Sequence, residues 1–181
     1  MALLMYLPMM ASGVFIAAPG TLLAPSLPRL AQGCALGLVL GFAVVGASWL
    51  ITQRTAWGRH FLEVFQGMLG RLDSRQILLL ALASSLGEEI LFRGVLHPRL
   101  GLWITALMFG ALHMPMRREM WPWTVFAMAM GLVLGLLTDY SQTLWPAIVL
   151  HFVVNYFNLH HISESAPPAP PPSSPPSPPH R

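Results

Sequence analysis

Three short stretches of this 181-residue chain place acid, base and amide side chains inside apolar runs. Glu88, Glu89 and Arg93 fall within one run, His113 closes a second, and His151 and Asn155 lie in a third. On a helix, Glu89 and Arg93 are one turn apart on a shared face and can pair. Glu88 is turned about 100° from its neighbour and is available to a different cavity. Phe109 shares a face with His113 in the same way, and His151 shares one with Asn155. A carboxylate and an imidazole together can hold and deprotonate a water molecule, the general-base work of hydrolysis. A second imidazole and an amide can donate hydrogen bonds to a developing oxyanion. Such a set suits peptide hydrolysis without a Ser or Cys nucleophile.

Each of these residues also has a plainer reading. A His bordering a loop, as His113 does, is commonly interfacial, and a lone buried His is more often hydrogen-bonded structure than catalyst. Ser84 and Ser85, one turn before Glu88, read as hydroxyls that pack helices or bond backbone. His97 and Arg99 read as interfacial, Asp139 as solvated in a short loop, and His160 and His161 as interfacial rather than metal-binding. The chemical reading is favoured because three separate apolar segments contribute. Polar groups on several membrane helices converge in the bundle interior, since none is tolerated facing lipid.

The elements that must position these groups follow from composition. Hydrophobic residues make up 55% of the chain and charged residues 9%, against about 25% charged in soluble domains. That leaves too little polar surface for a water-soluble globule, so the long apolar runs read as bilayer spans. The fold class expected is all-α, a polytopic transmembrane bundle of about six helices with one interfacial amphipathic helix. The spans fall at 3–23, 31–51, 76–97, 121–138 and 144–160, with a shorter helix at 101–114. The first reads as a span rather than a cleaved signal peptide, because no basic region precedes it. Pro98 and Gly101 are expected to close the 76–97 span. Gly33, Gly37 and Gly41 bare one face of the second span for close intramolecular packing. Across 53–75, Phe61, Val64, Phe65, Met68 and Leu69 recur at helical spacing among charged residues, the pattern of a helix lying on the membrane surface. From Ala166 onward Pro and Ser dominate, a solvated tail.

This divides the chain into 1–74 (N-terminal helices and amphipathic linker), 75–162 (the core carrying the chemistry) and 163–181 (the tail). All ten basic residues are Arg, and no basic run is interleaved with aromatics, so no nucleic-acid partner is expected. Arg54, Arg59, Arg71, Arg75, Arg117 and Arg118 fall on one side and Arg29 and Arg99 on the other, which places both termini in the cytoplasm. Size and all-Arg composition suggest a bacterial inner membrane. Cys34, alone, excludes an intrachain disulfide and reads as a small buried packing residue.

The segment Glu88-Glu89-Ile90-Leu91-Phe92-Arg93-Gly94 resembles the EExxxR motif of the CAAX protease and bacteriocin-processing family, also called the ABI family. Phe109 to His113 resembles its FxxxH motif and His151 to Asn155 its HxxxN motif, in the family's order, over about residues 75–160. The resemblance implies a multi-pass intramembrane endopeptidase, related to type II CAAX prenyl endopeptidase, acting on a membrane-associated protein or peptide. It implies that Glu88 and His113 activate water, that His151 and Asn155 stabilise the oxyanion, and that Glu89 and Arg93 support the site, with Phe109 as a motif residue. Metal-free catalysis is favoured. The zinc alternative would use Glu88, His113 and His151 as ligands, against which stand the absence of HExxH and the nearby Arg93. The reading from another class is a non-catalytic membrane protein, such as an immunity factor or a partner of a membrane complex. A proton-coupled transporter fits less well, because no duplicated halves are visible.

Overall fold

The computed structural model describes residues 26–114 and 120–165. The expected first span, the loop carrying Arg117 and Arg118, and the Pro/Ser tail lie outside the described residues. Within them the chain is all helical: α1 Leu27–Arg54, α2 Ala56–Leu69, α3 Ser74–Glu89, a π-helical segment Ile90–Leu96, α4 His97–Leu112, α5 Trp121–Ser141 and α6 Trp145–Glu164.

Local chemistry fixes the helix starts. Thr55 Oγ1 accepts from the Gly58 amide at 2.9 Å, capping α2. Asp73 and Gln76 form a reciprocal capping box at the start of α3, with bonds of 2.8 and 2.9 Å. Pro28, Pro122 and Pro146 each stand in a first helical turn, where the missing N–H costs nothing.

At the centre stands α6, which packs on α1, α3 and α5. Nearly all of its residues are buried or half-buried, as in a helix surrounded by others. Ala147, Leu150 and Val154 of α6 pack on Met130, Leu134 and Leu137 of α5. The Gly33/Gly37/Gly41 face of α1 meets α6 as expected. A Cβ at Gly37 would lie 2.5 Å from the carbonyl oxygen of Pro146, and one at Gly41 would lie 3.0 Å from Val153 Cβ. Outward faces expose Val39, Phe42, Leu50, Trp103, Leu107, Val125 and Leu136. Soluble monomers rarely expose such a belt. Two described helices, α1 and α5, are long and apolar enough to cross a membrane.

Several expectations need correction. The 76–97 helix does not close at Pro98: after Glu89 the hydrogen-bond ladder widens to π geometry, then continues through His97 and Pro98. Pro98 is tolerated because it sits in the first turn of α4. The chain direction breaks at Gly101, whose φ of 77° and ψ of 171° belong to a region essentially reserved for glycine. Asp139 is not in a loop. It lies on α5, and its Oδ1 is 2.9 Å from His97 Nε2. Cys34 is half-buried rather than buried, since Gly33 and Gly37 take the contact with α6 and turn it aside.

The ends of three elements share one side of the bundle. Ser163 Oγ accepts from the Leu72 amide at 2.8 Å and donates to the Leu72 carbonyl at 2.9 Å. Thr52 Oγ1 lies 3.3 Å from His161 Nε2. The Arg54, Arg59, Arg71 and Arg75 region is therefore also where α6 ends.

Candidate active site

Helix α3 buries Ile77, Ala81, Ser84 and Glu88 along one face, at spacings of three and four. Ser85 and Glu89 are buried beside them. From Glu88 the chain runs to the Gly101 break and returns over a leg of similar length. This antiparallel return brings Phe92 against Phe109, ring centroids 4.9 Å apart, and His113 level with Glu88. The short 101–114 helix is therefore a return leg that carries His113 back to the level of Glu88.

Four elements converge on one cluster. Glu88 Oε2 lies 3.8 Å from His113 Nε2 and 3.9 Å from His151 Nε2. Glu89 is completely buried, and its Oε1 accepts from Arg93 Nη1 at 3.0 Å and faces His151 Nδ1 at 2.7 Å. The two adjacent carboxylates thus straddle the His151 ring. Arg93, 1% exposed, reaches across from the π segment to donate through Nη2 to the Gly131 carbonyl of α5 at 3.1 Å. Gly131 also lets α5 approach α4 closely, since a Cβ there would stand 3.0 Å from the Ala106 backbone. The Phe109 ring covers the guanidinium at 4.6 Å and the His113 ring at 4.6 Å.

These contacts define ring orientation. His113 Nδ1 is 2.7 Å from the Phe109 carbonyl, which can only accept, so Nδ1 carries the proton. The Nε2 of a neutral His113 ring then presents a lone pair toward Glu88. His151 Nδ1 donates to Glu89 by the same logic, leaving its Nε2 toward Glu88 as well.

All seven residues singled out from sequence are thus accounted for. Six of them, Glu88, Glu89, Arg93, Phe109, His113 and His151, form one connected cluster. Asn155 stands one turn along α6, and its Nδ2 donates to Ser84 Oγ at 2.8 Å. Two roles were not read from sequence. Glu89 holds His151 as well as Arg93, and Ser84 holds Asn155 while donating weakly to the Ala81 carbonyl at 3.3 Å. The signal for Ser84 was available, because it is one turn before Glu88 on the same buried face. Ser85 bonds the Leu82 carbonyl, as its plain reading expects.

Glu88, His113, His151 and Asn155 open on a cavity of about 680 Å³, walled by α1, α2, α3, α5 and α6. Its other walls are largely apolar, with Trp57, Phe61 and Phe65 of α2 facing Trp123 and Phe126 of α5. Phe65 and Trp123 meet edge to face at 5.3 Å.

Zinc held at 2.0–2.2 Å would bring neighbouring tetrahedral donors to ~3.3 Å apart. The Glu88 to His113 and Glu88 to His151 separations are wider. Among the described residues no group of three His, Cys, Asp or Glu side chains is placed to hold a metal ion.

Among the described residues, fold and site together define a helical bundle with an acid, two imidazoles and an amide gathered in its interior. Residues 72–157 match the family described as type II CAAX prenyl endopeptidase Rce1-like, and all three motifs lie within that stretch. The chain is also similar to the uncharacterized protein YpbD of Bacillus subtilis (strain 168). The two are 37% identical over 81 residues, which is 44% of this chain and 41% of that protein. The chain therefore matches about two fifths of the length of this curated relative. No solved structure matches it significantly.

Proposed function

We propose that this chain is an intramembrane endopeptidase that hydrolyses a peptide bond of a membrane-associated protein or peptide. The observation that carries the reading is Glu88 Oε2 facing two imidazole nitrogens at 3.8 and 3.9 Å within an apolar cavity. With an ionised carboxylate, a neutral His113 and a doubly protonated His151, Glu88 Oε2 and His113 Nε2 accept and His151 Nε2 donates, a set that one water's two hydrogens and a lone pair can satisfy. Their separations are too long for direct hydrogen bonds and suit one shared water.

In the proposed reaction that water attacks the substrate carbonyl carbon as Glu88, assisted by His113, takes its proton. Asn155 offers its second Nδ2 hydrogen to the oxyanion, and His151, when doubly protonated, adds Nε2–H. The C–N bond then breaks as the proton passes from Glu88 to the leaving amine. Glu89, Arg93 and Phe109 hold the rings in place. No step uses a metal.

The wider assignment is also proposed. The described helices α1 and α3 to α6 form a membrane-embedded bundle, α2 lies on the membrane surface, and the Arg-rich end where α6 finishes is cytoplasmic. A bacterial inner membrane is the expected location. The positive-inside bias of Arg54, Arg59, Arg71 and Arg75 supports that orientation.

The test uses the full-length chain in lipid nanodiscs with peptides from a digested membrane proteome. The native protein should cut a subset, and Glu88→Gln should lose a factor of about 10²–10⁴ in rate. Chelator should leave the native rate unchanged; loss on chelation that added zinc restores would contradict the metal-free mechanism. Cleavage by neither protein would favour a non-catalytic membrane role.

A further inference from the structure

The cavity that contains Glu88 continues beyond Asn155 along α6, where Asn158 and His161 also line it. The polar side chains on that face have partners with one exception. His151 bonds Glu89, Asn155 bonds Ser84, and His161 lies against Thr52. Asn158, half-buried, makes no hydrogen bond among the described residues. Its amide is not among the buried polar atoms and lines the cavity, where it can meet a ligand. Its position, seven residues after His151, places it on the same face as the site.

We propose that Asn158 is a binding subsite for the backbone of an extended peptide, resting on the reading of this site as a protease. A carboxamide carries one acceptor and two donors, the complement of the N–H and C=O of a peptide unit. In an apolar cavity an extended chain must find partners for both groups, whereas a helix satisfies its own and gains nothing from Asn158. Seven residues of α6 rise about 10.5 Å at ~1.5 Å each. An extended chain advances ~3.3 Å per residue. Asn155, which also faces the oxyanion, is only about 4.5 Å along α6 from Asn158, so Asn158 contacts a peptide unit about one to three residues from the bond under attack. Phe61, Phe65 and Met130 wall the same cavity and receive apolar substrate side chains.

A backbone-ester scan tests this. One peptide cut by the nanodisc-held native chain is resynthesised with each amide in turn replaced by an ester, which removes one donor. With the native chain, one ester about one to three residues from the cleaved bond should lower kcat/KM about fivefold, the worth of one hydrogen bond. Asn158→Leu should lower kcat/KM of the all-amide peptide by a similar factor, with the loss falling on KM, and should abolish the penalty of that ester. Asn158→Ser, which keeps a small polar group, should recover part of the affinity and guards against a folding defect in the Leu variant. An ester profile identical in native and Asn158→Leu proteins would overturn the subsite while leaving the protease reading intact. If the native chain cut no peptide at all, the protease reading itself would fail and the subsite with it.

Discussion

At the scale of single residues, the site is built from orienting contacts more than from reactive groups. His113 is aimed by the Phe109 carbonyl, His151 by Glu89, and Asn155 by Ser84. Sequence spacing revealed the local part of this arrangement. Glu89 with Arg93 and Phe109 with His113 are one-turn neighbours, and each pair meets as helix geometry requires. The bonds from Glu89 to His151 and from Ser84 to Asn155 join residues 62 and 71 positions apart, and no periodicity announces them. Ser84 therefore looked like a packing hydroxyl until α6 was seen against α3. If its role is to hold the Asn155 amide, Ser84→Ala should lower kcat about tenfold, within the ~1–3 kcal/mol cost of leaving a buried polar group unsatisfied. The same change made in an Asn155→Ala background should have almost no further effect on kcat. Equal losses in both backgrounds would mean that Ser84 acts on packing alone.

At the scale of elements, the sequence made the helices visible and hid the way one of them turns. Apolar run length located α1, α5 and α6 within a few residues. The glycine stripe on α1 correctly signalled an intramolecular contact. Pro98 looked like a terminator, yet a first-turn proline is compatible with a continuing helix, and the break occurs at Gly101 instead. The π segment Ile90–Leu96, which precedes Pro98, was not legible in the periodicity; it carries Arg93, which bonds both Glu89 and the α5 backbone. Such segments recur at functional sites. The α1–α6 contact provides a test at this scale. At Gly37 a Cβ would strike the Pro146 backbone, which cannot swing aside as a side chain can. Gly37→Leu should therefore destabilise the bundle by about 1–3 kcal/mol, seen as a lower thermal midpoint in detergent. An unchanged midpoint would show that α1 is not tightly docked. Gly46 has open space at its Cβ and serves as the control, with Gly46→Ala expected to be neutral.

For the whole molecule, composition already indicated lipid as the solvent, and the exposed apolar belt on α1, α4 and α5 agrees. Full integration predicts that the chain stays in the pellet when membranes are washed with alkaline carbonate, and release into the wash would contradict it. The family resemblance read from three motifs is matched over residues 72–157. The substrate was not legible, because side chains able to activate a water say little about which molecule is brought to them. Asn158 and the aromatic walls of the cavity are the features that bear on that choice.

The central claim is that Glu88 activates water for peptide hydrolysis, and it can be tested without knowing the substrate. Cells expressing the native chain or Glu88→Gln at matched, membrane-inserted levels are compared by terminus-enriching mass spectrometry. New peptide termini on membrane-associated proteins that appear with the native chain and vanish with Glu88→Gln are the expected result. Identical termini in both strains across several growth conditions would contradict the account and favour a non-catalytic membrane protein.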